Sequence, residues 1–537
     1  MSGRRPDLVI RGSVVVAAEP TGLELAEAVG ITDGRVVAVG RRDEVTIAPG
    51  ARLIDVGDAA VIPGIHDFHV HLVGLARTRR SVQLDDAPHA GEIAARLLLA
   101  AASVSPDAWI TGRGWNERQL ADGVAILDAA VGERPVFLTS HDGHSAWTSA
   151  DARRRAGIGP ATSDPDGGRL ERNARGELTG VLRERAMDLV SPLVARLQGQ
   201  PLHAPLDATL RELASLGITG ATEAGDYTDR NGIGVDAALG DSYSSLTDLG
   251  DLVDGRLRLT LGIPADGIAA ATSRGVLTGG RLDGRRTMRF GWAKHYTDGT
   301  LGSGTAALFS PAGDLGIMRV TDERLDADLA DARSAGIGLA MHAIGDRAVA
   351  AALGAVHRAA SRGEGVPRDR IEHVQLLRAA DATRFAELGV VASIQPIHAA
   401  ADRDLVEAAW SDRLGDAYPW RSLASAGALL AAGSDAPVES VNPWLGIFAA
   451  LHRRLPEDGR GDWQPAQALT FAEALSAYTL APARAIGAPD EGHLRIGARA
   501  DLAVLSCSLE QLTRAGSALA EVRSDLTMVD GWEVHRS

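Results

Sequence analysis

The sequence predicts an α/β protein built on a closed barrel of eight βα units, joined by a small composite β-sandwich domain and an α/β insertion. Three observations predict it. Apolar strand candidates recur through most of the chain, those after residue 206 alternating with amphipathic helical stretches through short glycine-containing turns, which is the rhythm of parallel βα units. The residues that end several of these strands are histidine, lysine and aspartate, the types found at the catalytic rim of such a barrel. The two chain ends share another texture, short β runs broken by Gly and Asp.

Composition narrows the function classes. A chain of 537 residues exceeds one ordinary core, so two or three units are expected, and 45% apolar residues suffice to fill them. The net charge of −15, from 55 basic and 70 acidic side chains, argues against nucleic acid or an anionic membrane as partner. A small-molecule substrate is the expected partner; a homodimer is the assembly to test. The single cysteine, Cys507, allows no internal disulfide. The start, Met1-Ser-Gly-Arg-Arg-Pro-Asp7, lacks a long apolar run, and no uninterrupted apolar segment reaches membrane-spanning length. A cytoplasmic protein is the expectation.

In chain order, residues 1–60 carry Leu8–Ile10, Ser13–Ala17, Ala28–Ile31, Arg35–Val39 and Arg52–Val56, short strands with Asp33-Gly34 as a hairpin turn. Residues 490–537 repeat that texture in Ala500–Leu505 and Leu526–Val534, so both ends are expected to complete one sandwich. The run from Ala60 to Leu72 reads as an apolar strand ending in His69-Val70-His71. Residues 76–205 break the rhythm and form the expected insertion, with a helical Gly91–Ala101 and the stretches Trp109–Trp115 and Pro135–His144. Residues 61–75 and 206–489 make the barrel. Its later strands are Ile218–Glu223, Leu257–Leu261, Met288–Lys294, Ile337–His342, Arg370–His373, Val390–Gln395 and Leu429–Asp435, giving eight with the first.

The strand ends carry the chemistry. Side chains alternate along a strand, so His69 and His71 point the same way. Lys294 ends the fourth strand, His342 the fifth, His373 the sixth and Asp435 the eighth. Taken singly each has an ordinary explanation: a satisfied core histidine for His342, a partner of Glu372 for His373, a helix N-cap for Asp435. Lys294 is the only lysine in the chain; the other 54 of the 55 basic residues are arginine. Arginine-for-lysine drift explains the depletion but not the survivor. An amine can lose its proton and accept a covalent modification, which a guanidinium cannot.

Together these residues converge on the barrel axis and fit a divalent metal centre. Four imidazoles exceed what one hydrolytic metal takes from protein, so two ions fit better. A carbamate formed on Lys294 by carbon dioxide would bridge them as a carboxylate does. Such ions supply hydroxide at neutral pH. Asp435 would bind metal, take the proton from the attacking hydroxide and pass it to the leaving amine.

The motifs Pro63-Gly-Ile-His-Asp-Phe-His-Val-His71, Asp298-Gly-Thr-Leu-Gly-Ser303 after Lys294, Met341-His-Ala-Ile-Gly-Asp-Arg-Ala348, Arg370-Ile-Glu-His-Val-Gln375, Ser393-Ile-Gln-Pro396 and Gly433-Ser-Asp-Ala-Pro-Val438 complete the pattern. With the tail Glu491–Gly497, they make the whole chain resemble the amidohydrolase superfamily, in particular the amidohydrolase family 3 branch with the N-substituted formamide deformylases. The resemblance implies a metal-dependent hydrolase on a (β/α)8 TIM barrel. It carries the metal positions to His69, His71, Lys294, His342, His373 and Asp435, with zinc as the first metal to test and one or two ions. His66 departs from the pattern and has no assigned role.

The expected reaction is hydrolysis of a C–N bond in an N-acyl or N-formyl amine or a related small amide. The same site would serve an ester, lactone or carbamate, because specificity lies in loops rather than fold. A metal-binding scaffold without turnover is the alternative from another class, and the intact Asp435 speaks against it. Trp115, His144, Asp298, Gln395 and His398 are the substrate-contact candidates.

Overall fold

The computed structural model describes residues 6–537 apart from 80, 106, 117–118, 120–125, 198–202, 226–249, 251, 283, 285, 312, 362–367 and 515. Its centre is an eight-stranded sheet of β1 (Ile65–Val70), β2 (Ile218–Glu223), β3 (Arg258–Pro264), β4 (Met288–Tyr296), β5 (Gly338–Ala343), β6 (Arg370–His373), β7 (Val391–Ile394) and β8 (Leu429–Ala432). Each strand pairs in parallel with the next. The seam between β8 and β1 closes just above both strands. There the Asp435 N–H donates to the His69 carbonyl at 2.7 Å and the His71 N–H to the Ala436 carbonyl at 2.8 Å. Gly433 permits this approach, since a Cβ there would lie 2.2 Å from the His69 nitrogen.

The helices on the outside follow from apolar spacing. Asp346–Ser361 buries Val349, Ala352, Leu353 and Val356, a helical stripe facing the sheet. Asp322–Ser334 starts at Thr321, whose side chain accepts from the Arg324 N–H and so caps the helix.

The chain ends share one seven-stranded sheet. Arg52–Pro63 pairs in parallel with Leu8–Glu19 and antiparallel with Leu502–Ser508, which stitches the two termini together. Ile10, Val29, Val36, Leu502 and Leu526 belong to one buried cluster, so strands from both halves of this sheet face each other across it. The run from Ala60 to Leu72, read from sequence as one strand ending in His69-Val70-His71, is two. The first part ends at Pro63 in the terminal sheet and the second begins at Ile65 in the barrel. Proline ends the ladder, having no N–H to donate, and Gly64 crosses where a Cβ would strike Thr219 at 2.0 Å.

The terminal sheet grips the N-terminal ends of the barrel strands through charge. Arg258 at the start of β3 pairs with Asp501, donating to Oδ1 at 2.9 Å, and with Asp530. Arg499 donates to Asp530 at 2.8 Å and Arg289 pairs with Glu491.

The residues between β1 and β2 build a six-stranded sheet. Val82–Gln83, Ile110–Trp115 and Val136–Ser140 run parallel; Ser145–Thr148, Leu178–Glu184 and Gly168–Arg172 complete it antiparallel. Its turn at 141–144 and the end of Leu178–Glu184 meet the loop after β4. Asp142 Oδ2 accepts from Thr300 Oγ1 at 2.7 Å and Ser303 Oγ at 2.9 Å, and Thr305 Oγ1 donates to Glu184 Oε1 at 2.7 Å. No helix among the described residues is long and apolar enough to cross a membrane.

Candidate metal centre

The C-terminal ends of the strands open into a cavity of about 1670 Å³ between barrel and insertion, bordered by His69, His71, Lys294, His342, His373 and Asp435 among others. All six predicted rim residues therefore meet at one place. Asp435 is the hub. Its Oδ1 lies 2.9 Å from His71 Nε2 and 3.3 Å from His69 Nε2, and its Oδ2 lies 3.1 Å from His398 Nε2 and 3.9 Å from His373 Nδ1. Burial alone would raise the Asp435 pKa, but these imidazoles, His69 first, hold it well below the usual carboxylate range.

The imidazoles form a continuous row. Ring centroids are 5.4 Å apart for His71 and His69, 5.2 Å for His69 and His373, and 4.6 Å for His373 and His342. Their orientation is set from behind. His69 Nδ1 donates to Glu372 Oε2 at 2.6 Å, which leaves its Nε2 facing Asp435. His342 Nε2 donates to the Gly299 carbonyl at 3.1 Å. Glu372 also pairs with Arg370; burial works against its charge, but Arg370 and His69 hold its pKa well below normal. Glu372 is thus the partner of His69, not of His373 beside it, because adjacent strand residues face opposite ways. His373 comes to the rim by backbone conformation: its φ is 74°, Val374 follows at 46° and Asp435 has 60°. Side chains rarely adopt this left-handed region, and three such residues at one rim mark a conformation maintained by its surroundings.

Two atoms test whether a metal fits. His69 Nε2 and His373 Nδ1 are buried with no hydrogen-bond partner among the described residues, although buried polar atoms are ordinarily satisfied. Both border the Asp435 carboxylate. Unpartnered imidazole nitrogens around an ionised carboxylate are a donor set for a divalent transition metal. Two groups of three share Asp435, one with His69 and His71 and one with His373 and His398, the donor atoms of each lying within 4.8 Å of one another. Lys294 is 4% exposed. Its Nζ lies 5.1 Å from the Tyr296 ring centroid, and its charge contributes to holding the pKa values of His342 and His373 below normal, after the larger effect of burial.

The substrate-contact candidates divide. His144 and His398 border the cavity; His144 Nδ1 lies 3.0 Å from Glu184 Oε2 and its ring centroid 5.1 Å from that of His342. Burial would lower the His144 pKa, but the Glu184 carboxylate outweighs it and the value is raised. Trp115 also borders the cavity, yet its N–H is used by the Leu138 carbonyl at 2.7 Å and its ring packs on Trp147 in the insertion core. Asp298 and Gln395 are not among the cavity residues. Asp298 instead accepts three backbone N–H groups, from Ala307 at 2.9 Å, Gly345 at 2.9 Å and Ile344 at 3.0 Å, and so fastens the loops after β4 and β5. Its burial lifts its pKa to about 7 against those hydrogen bonds. Gln395 turns toward its own strand, with Nε2 3.4 Å from the Ser393 carbonyl. His66 lies away from the cavity too, its Nε2 2.8 Å from Thr222 Oγ1 on β2.

Sequence reading offered Glu372 only as a partner of His373, and missed Glu184 and Glu439. Glu372 lies inside the Arg-Ile-Glu-His run and Glu439 four residues after Asp435, so both were within reach as neighbours of rim residues. Glu184 carries no local signal.

Comparison with known proteins agrees with this geometry. The amidohydrolase family model matches residues 52–535. Protein LONG AFTER FAR-RED 3 of Arabidopsis thaliana is 30% identical over 517 residues, covering 93% of this chain and 87% of that protein. The N-substituted formamide deformylase of Arthrobacter pascens is 26% identical over 546 residues, covering 94% of each. A solved uncharacterized metal-dependent hydrolase from Pyrococcus horikoshii superposes with a TM-score of 0.73 at 24% identity, over 93% of this chain and 97% of that one. Barrel, rim and family match coincide along nearly the whole length, and the chain belongs to the amidohydrolase family.

Proposed function

We propose that this protein hydrolyses the C–N bond of a small N-acyl or N-formyl amine. The observation that carries the reading is the Asp435 carboxylate set among His69, His71, His373 and His398 at the cavity floor. His69, His71, Lys294, His342, His373 and Asp435 would hold one or two divalent ions, zinc first. When bound, such an ion lowers the pKa of water and polarises a carbonyl.

The remaining work falls to the chain. Asp435 stays ionised at neutral pH and is placed to accept the proton of the attacking water and return it to the leaving nitrogen. An amide needs that return because an amine leaves poorly without a proton. Glu372 keeps the Nδ1 proton of His69 on the outer side of the ring, so Nε2 presents its lone pair inward. Lys294, buried at the rim with no salt bridge among the described residues, is proposed to carry a carbamate. The ammonium form first gives up one proton; the free amine then adds to carbon dioxide and gives up a second, so that a cation is replaced by an anion whose two oxygens would serve as ligands.

The test is a panel of formamides, N-acyl amines, carbamates, esters and lactones, assayed with protein loaded with zinc or manganese and its metal content per chain measured. Formamides or N-acyl amines should give the highest kcat/KM. Faster turnover of esters or lactones would move the function to that class; a metal-loaded protein inert on the entire panel would leave only a binding role.

A further inference from the structure

One arginine at the cavity has no carboxylate to pair with. Arg185, Arg319, Arg324, Arg347 and Arg358 border the cavity, and each has a carboxylate oxygen between 2.8 and 3.8 Å away. Arg113 borders it too and forms no ion pair among the described residues. Its side chain makes one hydrogen bond there, from Nη2 to the His141 carbonyl at a long 3.4 Å. The insertion strand Ile110–Trp115 aims this side chain. Alternation along the strand puts Thr111 and Arg113 on its half-buried face, and pairing with Val136–Ser140 sets Thr139 beside Arg113 and Phe137 beside Thr111. All four border the cavity. Neither threonine hydroxyl has a hydrogen-bond partner among the described residues. A guanidinium, two hydroxyls and an aromatic ring therefore share one wall.

The carboxylates near this wall are engaged elsewhere. Asp85 runs close along the strand, where a Cβ at Gly114 would lie 2.3 Å from its Cγ, but its Oδ1 is 2.9 Å from His141 Nδ1. Glu439 Oε1 lies 3.3 Å from His141 Nε2 and 3.4 Å from His398 Nδ1. Burial lowers the Arg113 pKa, and the attraction of Asp85, Glu439 and Asp435 does not restore it. A guanidinium keeps its charge at any ordinary pH, so a partly buried one without an anion is held at a cost.

We propose that Arg113, flanked by Thr111 and Thr139, receives a carboxylate of the substrate, so that the substrate is a small amide bearing an anionic group. This names the substrate class of the amide hydrolase reading and rests on it. A planar guanidinium matches a carboxylate through two parallel N–H bonds, and the hydroxyls add donors. A singly charged group fits better than a dianion such as a phosphonate, because Asp85 and Glu439 stand nearby. The wall is joined to the rim through His141, Glu439 and His398, whose Nε2 is 3.1 Å from Asp435 Oδ2. The insertion thus selects the substrate that the barrel cleaves.

The experiment uses matched substrates: N-formyl and N-acyl amines with a carboxylate at increasing distance from the nitrogen, and the same compounds with a neutral hydroxymethyl group or a phosphonate in its place. kcat, KM, metal per chain and thermal melting are measured for the wild type, Arg113→Met, Arg113→Lys and Thr139→Val. The wild type should prefer the best carboxylate over its neutral partner by roughly 10–100-fold in kcat/KM, the worth of a charge-assisted hydrogen bond. Arg113→Met should erase that preference, chiefly by raising KM for the carboxylate, with the neutral partner, metal content and melting close to wild type. Arg113→Lys should restore part of the preference, and Thr139→Val should lose a smaller part. A wild type without preference for any carboxylate, one that favours the phosphonate, or an Arg113→Met variant that loses equally on both partners would each overturn the proposal. Turnover of the neutral amides would then leave the amide hydrolase reading intact. A wild type that cleaves no amide overturns both.

Discussion

The two ends of the barrel are built on opposite principles. At the N-terminal end, Arg258, Arg289 and Arg499 each face carboxylates of Asp501, Asp530 or Glu491, and the charges compensate one another where the terminal sheet docks. At the C-terminal end, four imidazoles crowd one carboxylate, two ring nitrogens have no hydrogen-bond partner among the described residues and three residues adopt left-handed backbone. Both ends hold buried polar atoms without a hydrogen-bond partner among the described residues, but at the N-terminal end these are Arg258 Nη1 and Arg499 Nε, whose guanidinium groups are ion-paired through their other nitrogens, whereas at the C-terminal end they are imidazole nitrogens that can offer a lone pair to something brought from outside. The contrast assigns stability to one pole and chemistry to the other.

Substitutions at each pole sharpen that contrast. The largest effect is expected from Asp435→Asn, which preserves shape but cannot accept the proton: kcat should fall by about 10²–10⁴-fold with the melting temperature nearly unchanged. Steady-state kinetics beside calorimetry will show this, and near wild-type turnover would place the base elsewhere. Lys294→Arg retains the positive charge yet cannot form a carbamate, so metal per chain by elemental analysis should drop and activity with it. An unchanged stoichiometry would remove Lys294 from the ligand set.

The opposite pole should respond in the opposite way. Arg258→Met strands the buried carboxylate of Asp501 and leaves Asp530 with Arg499 alone, and should cost about 3–5 kcal/mol in denaturant unfolding, with kcat and metal content of the folded fraction unaltered. Altered metal content there would show that the poles are not independent. Glu372→Gln tests the space between them: the weakened hold on His69 should lower metal affinity by about 10–100-fold in a chelator competition.

The smallest effect concerns the insertion, joined to the barrel where His141 Nε2 meets Glu439 Oε1 at 3.3 Å and His141 Nδ1 meets Asp85 Oδ1 at 2.9 Å. For His141, burial lowers the pKa but Asp85 and Glu439 overcome it and raise the value from 6.5 to about 10. For Glu439, burial raises the pKa but His141 and His398 bring it from 4.5 down to about 2. A raised histidine stabilises fully below its unfolded value and loses that as pH climbs toward the folded one. A lowered glutamate stabilises fully above its unfolded value and loses that as pH falls. The contact is therefore strongest between about pH 4.5 and 6.5. Limited proteolysis within 76–205 should be slowest in that window; a rate flat from pH 4 to 9 would show the contact contributes nothing.

What was legible in the sequence was what local pattern encodes. The strands Ile218–Glu223 and Arg370–His373 occur with the bounds read from apolar runs, and the rim residues fell at strand ends because a barrel places them there. Partner choice across the fold was not legible. Asp298 was among the substrate-contact candidates, whereas it turns away to collect one backbone N–H from its own loop and two from the loop after β5. Glu184 lies 40 residues from His144 and in another strand, so only the folded insertion brings them together. Pairings of this kind depend on registers between elements, which periodicity within an element does not record.

The seam at Gly433 bears on when the site comes into being. The hydrogen bonds that close the barrel, Asp435 to His69 and His71 to Ala436, involve three of the residues proposed to hold the metal. Strands β1 and β8 lie more than 350 residues apart in the chain, and such distant contacts tend to form late in folding. Metal retention would then serve as a clock for refolding: a chain that has begun to hold its ion has already brought its most distant barrel strands together.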